Sequence, residues 1–205
     1  MKTKMRALTA ATAVSAGLVT GITAVPAMAS TAGPGVPATS VTAAAVSATA
    51  TAQTLQPWPV LSQGSNNTWP LVTVRSLQYL LNAHGAKLAV DGLFGPKTKA
   101  AVITFQRSHG LAATGVVNAG TWRSLIVPVG QGSIGPAVRA VQDQINFRNN
   151  KDGHTLTVDG IFGPKTAAAV RAFQRAMSIE VLGFAVDGIV GPQTWQALVT
   201  EALSG

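Results

Sequence analysis

The chain has 205 residues, 47% hydrophobic and 11% charged, with a formal charge of +8 and no cysteine. This suits one modest globular unit or two small ones rather than a disordered polymer. The missing cysteines exclude a disulfide framework, thiolate metal ligation and cysteine nucleophile chemistry.

The N-terminus accounts for part of the positive charge. Lys2, Lys4 and Arg6 precede an uncharged stretch over residues 7–25, and Ala27, Met28 and Ala29 supply the small residues of a cleavage site. The pattern predicts a signal peptide over 1–29, cut after Ala29, and hence a secreted protein, extracellular or wall-associated. A retained membrane anchor is the competing reading, but threonine and glycine dilute the stretch and weaken its drive to insert. Cleavage leaves 12 basic against 7 acidic residues, a formal charge of +5. With no run of Lys and Arg, nucleic acid is not an expected partner, nor is a membrane once the signal is removed. A weak positive field favours acidic wall polymers or peptide carboxylates.

Residues 30–56 are rich in Ala, Thr, Ser, Pro and Gly and carry no charge. Prolines at 34 and 37 and scattered hydroxyl residues break any consistent apolar face, which predicts a flexible linker.

The remainder is a repeat. VDGLFGPKT at 90–98 returns as VDGIFGPKT at 158–166, and the FQR of 105–107 as the FQR of 173–175. VRSLQ at 74–78 answers VRAVQ at 138–142, and TWRSL at 121–125 answers TWQAL at 194–198. The second copy has insertions of four residues around 149–154 and five around 180–184. These registers predict an all-α protein of two tandem small three-helix bundle modules, 57–128 and 129–205, with a tight junction near 127–132. In each module the first helix buries Val74, Leu77 and Leu81, or Val138, Val141 and Ile145, at steps of three and four. The second opens on Pro96 or Pro164, where a missing N–H costs nothing, and faces inward with Val102 and Phe105, or Val170 and Phe173. The third carries Trp122 and Leu125, or Trp195 and Leu198.

The repeated nine residues read first as scaffold. Asp followed by Gly is turn chemistry, the carboxylate accepting an N–H two residues on and Gly taking a positive φ. Leu93 and Phe94, or Ile161 and Phe162, are expected to turn the chain's apolar side inward. VDGIVGPQT at 186–194 and a worn ATGVVNAGT at 113–121 precede the third helices in the same way. Catalytic signatures are scarce. A glycosidase needs two carboxylates across one bond, and between residues 58 and 127 Asp91 is the single acid. His84, His109 and His154 show no HxxxH or HxH spacing and read as isolated loop or helix-end residues, so no metal site or cofactor is expected. Neither SxxK nor GxSxG occurs. A hydrolase with an unfamiliar site in module 2 stays as the alternative.

VRSLQYLLNAHG, VDGLFGPKTKAAVITFQRSHGL and TGVVNAGTWRSL in module 1, with GSIGPAVRAVQ, TVDGIFGPKTAAAVRAFQR and VDGIVGPQTWQAL in module 2, resemble the peptidoglycan-binding domain family, a three-helix module. The resemblance implies non-catalytic binding of peptidoglycan, through glycan strands or stem peptides, with a separate wall-acting enzyme as a second partner. A protein-interaction or inhibitory module is the other alternative. Module 1 departs from the pattern in its SNNTWPLVTV approach and in Thr114, which stands where the other loops have Asp. The implied site lies around Asp91, Phe94, Lys97 and Arg107, and around Asp159, Phe162, Lys165 and Arg175. In it the cations pair with stem-peptide carboxylates and aromatic edges face sugar rings. Two such weak sites would gain affinity on a polymer through effective concentration. Trp58 and Trp69 stand open between packing and contact surface.

Overall fold

The computed structural model describes residues 54–66, 72–148 and 156–200, all within one compact unit, Ala48–Gly205. The signal, most of the linker, Trp69 and His154 lie outside the described residues. Six helices follow in order: α1 (Thr73–Ala83), α2 (Pro96–Ser108), α3 (Ala119–Leu125), α4 (Pro136–Arg148), α5 (Pro164–Glu180) and α6 (Pro192–Val199). Three belong to each repeat, and no strand longer than an isolated bridge is present among the described residues.

The helix starts follow from local chemistry. Gly95, Gly163 and Gly191 hold extended backbone immediately before Pro96, Pro164 and Pro192, each at a first helical position. Helix α3 has no proline there. Asn118 caps it instead, its Oδ1 accepting the Thr121 N–H at 3.0 Å. The worn motif has thus exchanged one start signal for another.

Val74, Leu77, Leu81, Val138, Val141 and Ile145 are buried, as the periodicity predicts, and join Phe105, Phe173, Trp122 and Trp195 in one continuous core. Each fully buried leucine contributes about 2 kcal/mol by leaving water. Trp58 is also interior, stacked on Trp122 with ring centroids 6.0 Å apart.

The two tryptophans of the third helices serve as bolts. Trp122 Nε1 donates to Pro59 O and Trp195 Nε1 to Val127 O, fixing the segment that leads into each module. Both lead-in segments then carry the same Gln-Gly-Ser, at 63–65 and 131–133. In module 1 Gly64 N donates to Phe94 O and Phe94 N to Ser65 O. In module 2 Gly132 N donates to Phe162 O and Phe162 N to Ser133 O. The approach to module 1 therefore keeps the geometry of module 2 through Asn66, although its sequence looks different from there on.

The most extensive helix–helix contact joins the modules, α1 against α4. Arg75 pairs with the buried Asp143, and Gln144 Nε2 donates to Ser76 Oγ at 2.8 Å. Burial raises the Asp143 pKa, against the opposing pull of the Arg75 guanidinium. The halves consequently share one interior.

Candidate functional site

Each Asp-Gly loop is held by a buried glutamine from the preceding helix. Gln142 Nε2 donates to Asp159 Oδ1 (2.8 Å), Ile161 O (3.1 Å) and Thr166 Oγ1 (3.3 Å), while its Oε1 accepts from Gly160 N (2.9 Å). Gln78 makes the same set with Asp91, Leu93 O, Thr98 and Gly92. Gln174 repeats it with Asp187, Ile189 O, Thr194 and Gly188. Gln106 keeps it around Gly115 without an acid, bonding Val116 O and Thr121 Oγ1. The glycine is required: Gly160 has φ of 79°, and a Cβ there would lie 3.1 Å from Gly135 O and 2.9 Å from Arg139 Nε.

The carboxylates are part of this clamp. Gln78 and the Leu93 N–H hold Asp91 below the ordinary carboxylate range. The Ile161 N–H and Gln142 do the same for Asp159, and the Ile189 N–H and Gln174 for Asp187. All three stay ionised at neutral pH, a poor state for a general acid.

Two expectations about the loops need correction. Phe94 and Phe162 are 2% and 1% exposed, so neither offers a ring edge to a ligand. Leu93 and Ile161, expected inside, are 57% and 56% exposed. The reason is alternation: the bridges Asn66↔Leu93 and Ile134↔Ile161 hold the loops extended, where successive side chains point to opposite faces. Phe takes the inner face and the aliphatic residue the outer one.

The cations are not gathered either. Lys97 sits in the first turn of α2 and Arg107 in its last, ten residues or about 15 Å of helix rise apart, and Lys165 and Arg175 repeat that separation on α5. All four are exposed. Asp91 and Lys97, with Asp159 and Lys165, remain at the loops; Arg107 is at the far end of α2, and Arg175 lies well along α5, five residues before its end.

At the far end of α2 lies a cluster that the sequence reading missed. A pocket of about 320 Å³ lies between the C-terminal ends of α1 and α2, lined by His84, Lys87, Thr104, Phe105, Ser108 and His109 with small and aliphatic neighbours. His84 and His109 are therefore not isolated, as their sequence separation suggests. Their ring centroids are 5.5 Å apart, and Phe105 stacks on His109 at 4.0 Å. His84 Nε2 bonds Leu125 O and His109 Nδ1 bonds Phe105 O, both at 2.9 Å. No group of three or more metal-ligating side chains occurs among the described residues. The available signal was positional: both histidines stand at the C-terminal caps of helices packed side by side.

Module 2 fills the corresponding place differently. Arg148 stands at the position of His84, its guanidinium 5.5 Å over the Phe173 ring and donating to Ala197 O and Leu198 O at 2.9 Å and to Thr200 O. Burial lowers its pKa to about 10, leaving it charged at neutral pH.

Comparison with known proteins matches residues 72–125 and 134–198 to the peptidoglycan binding domain family. A zinc D-Ala-D-Ala carboxypeptidase of Streptomyces albus G is 44% identical over 68 residues, 32% of this chain and 25% of that protein. The N-acetylmuramoyl-L-alanine amidase CwlL of Bacillus licheniformis is 30% identical over 146 residues, 67% of this chain and 38% of that protein. The chain thus spans well under half the length of these relatives. Among solved structures, a fused Zn-dependent amidase/peptidase/peptidoglycan-binding domain-containing protein of Clostridium acetobutylicum is 29% identical, covering 51% of this chain and 48% of that one at a TM-score of 0.32. A peptidoglycan-binding protein of Clostridioides difficile is 33% identical, covering 33% and 40% at a TM-score of 0.30.

Proposed function

The chain belongs to the peptidoglycan-binding domain family, and from that premise we propose that it binds cell-wall peptidoglycan without cleaving it. The observation that carries this reading is the clamp: the acids of the repeated loops are spent on fixing backbone. Each is an ionised acceptor for a glutamine amide and a loop N–H, and none is held as a proton donor facing a second carboxylate. The relatives with amidase and carboxypeptidase names extend far beyond the matched stretch, which supports reading that stretch as their wall-holding part.

In this reading the protein is exported by its N-terminal signal and anchors or targets at the bacterial wall, alone or beside a separate wall-acting enzyme. The residual formal charge of +5 adds a salt-sensitive attraction to anionic wall polymers. A zymogram with peptidoglycan embedded in the gel tests the non-catalytic half of the proposal. No clearing band is expected from the purified chain. A band that disappears in Asp159→Asn overturns it in favour of hydrolysis.

A further inference from the structure

We propose that ligand recognition belongs to module 1 alone, in the pocket between the ends of α1 and α2, and that its ligand is a short peptide with a free C-terminal carboxylate and small side chains. This rests on the wall-binding reading above and narrows it to one module and one chemical part of the polymer.

The pocket's polar groups are sorted by what they have left to offer. A backbone carbonyl only accepts, so His84 Nε2 and His109 Nδ1 carry hydrogens directed at Leu125 O and Phe105 O. In the neutral rings His84 Nδ1 and His109 Nε2 then hold lone pairs, suited to peptide N–H groups. The Ser108 and Thr104 hydroxyls already donate, to Phe105 O and Ala100 O. The remaining strong donor is the Lys87 ammonium, which is exposed at the rim. A peptide end presents the complement: a carboxylate for Lys87 and amide N–H groups for the imidazoles. Leu81, Ala101 and the Phe105 ring supply an apolar floor for small side chains. A volume of about 320 Å³ stands at the small end of ligand sites, large enough for a dipeptide and too narrow for a folded partner.

Module 2 carries other residues at the positions of Thr104, Ser108, His109 and His84. Ala172 replaces Thr104, Ala176 replaces Ser108 and the buried Met177 replaces His109. Arg148 replaces His84 and spends its guanidinium on the last carbonyls of α6, helping to close that helix end. The copy that matches the repeat pattern better is thus the supporting one. Through the α1–α4 contact and the Arg75–Asp143 pair, module 2 braces the helix from whose C-terminal end His84 projects.

The experiment is a titration of the full chain, followed by amide chemical shifts, with a muropeptide ending in a free carboxylate and with its C-terminally amidated counterpart. Shifts are expected at residues 84–88 and 104–109 and not at 172–177, with the amidated peptide binding roughly tenfold more weakly for want of the charge-assisted contact. Lys87→Ala should weaken binding about tenfold and Lys87→Arg should restore most of it, both melting like the wild type because Lys87 is exposed. His109→Met, which installs the residue of module 2, should also lose binding. Shifts confined to module 2, or equal affinity for the two peptides, overturn the assignment. Wild type, Lys87→Ala and His109→Met sedimenting equally with sacculi sinks the pocket and leaves wall binding standing; a wild type that ignores sacculi sinks both.

Discussion

Gln142→Ala separates a scaffold loop from a reactive one. The buried Gln142 amide makes four hydrogen bonds in the clamp, one of them accepted from the buried Gly160 N–H. Truncation leaves that N–H without an acceptor, at about 1–3 kcal/mol, and removes net contributions of about 0.5–1.5 kcal/mol from the other partners. Solvent reaches Asp159 and can replace part of its loss, so the sum is about 3 kcal/mol. For a cooperative unit of this size that lowers Tm by roughly 6–12 °C. Asp159→Asn, by contrast, keeps an Oδ1 that can accept from Gln142 Nε2 and Ile161 N, and should shift Tm by less than about a third as much. Thermal unfolding of both variants by circular dichroism is the assay. A Gln142→Ala protein that melts with the wild type, or an Asp159→Asn protein that melts lower than Gln142→Ala, would refute the assignment of this acid to scaffold.

Other consequences follow from the same contacts. Arg75→Leu strands the buried Asp143 at the module junction and should destabilise by about 3 kcal/mol in a urea titration, the lower end for a broken buried pair because Arg75 is partly exposed. Gly160→Ala forces a side chain into positive φ and against Gly135 O, and should cost at least about 1 kcal/mol by the same measurement. Acid should unfold the protein through its loops. Asp91, Asp159 and Asp187 have folded pKa values below their unfolded ones, so their stabilisation is complete above about pH 4 and is lost as pH falls through the folded values. Asp143, raised by burial, acts in the opposite sense: its contribution falls as pH rises from its unfolded value through its folded one. Stability of Asp143→Asn and of wild type followed from pH 2 to 6 should separate the two slopes.

The helices were legible because their signals are local. Pro96, Pro164 and Pro192 mark starts, and the apolar spacing of Val74, Leu77 and Leu81 marks a face that the fold buries. The role of Asp91 and Asp159 as turn acceptors was also readable, since the acceptor lies two residues from its donor. What holds the loop was not. Gln78 and Gln142 lie 13 and 17 residues from the acids they clamp, and nothing in a helical glutamine announces a loop so far away. The inward turn of Phe94 with Leu93 outward depends on pairing with Asn66, a segment whose Gln-Gly-Ser repeat is short and easily passed over. The pocket was hidden for a related reason. His84 and His109 are 25 positions apart and meet only because α1 and α2 end side by side. Sequence reasoning weighted the repeated residues and so favoured Lys97, Arg107, Lys165 and Arg175. Four polar residues of the pocket, His84, Thr104, Ser108 and His109, are ones the second copy has changed.

The most direct measurement of the central claim is sedimentation of the full chain with purified sacculi at low salt, with the supernatant assayed for released muropeptides and reducing ends. Binding without cleavage predicts that the protein leaves the supernatant in saturable fashion, returns as salt rises, and releases no fragments. Folded protein remaining in the supernatant at low salt, or fragments accumulating with time, would contradict it.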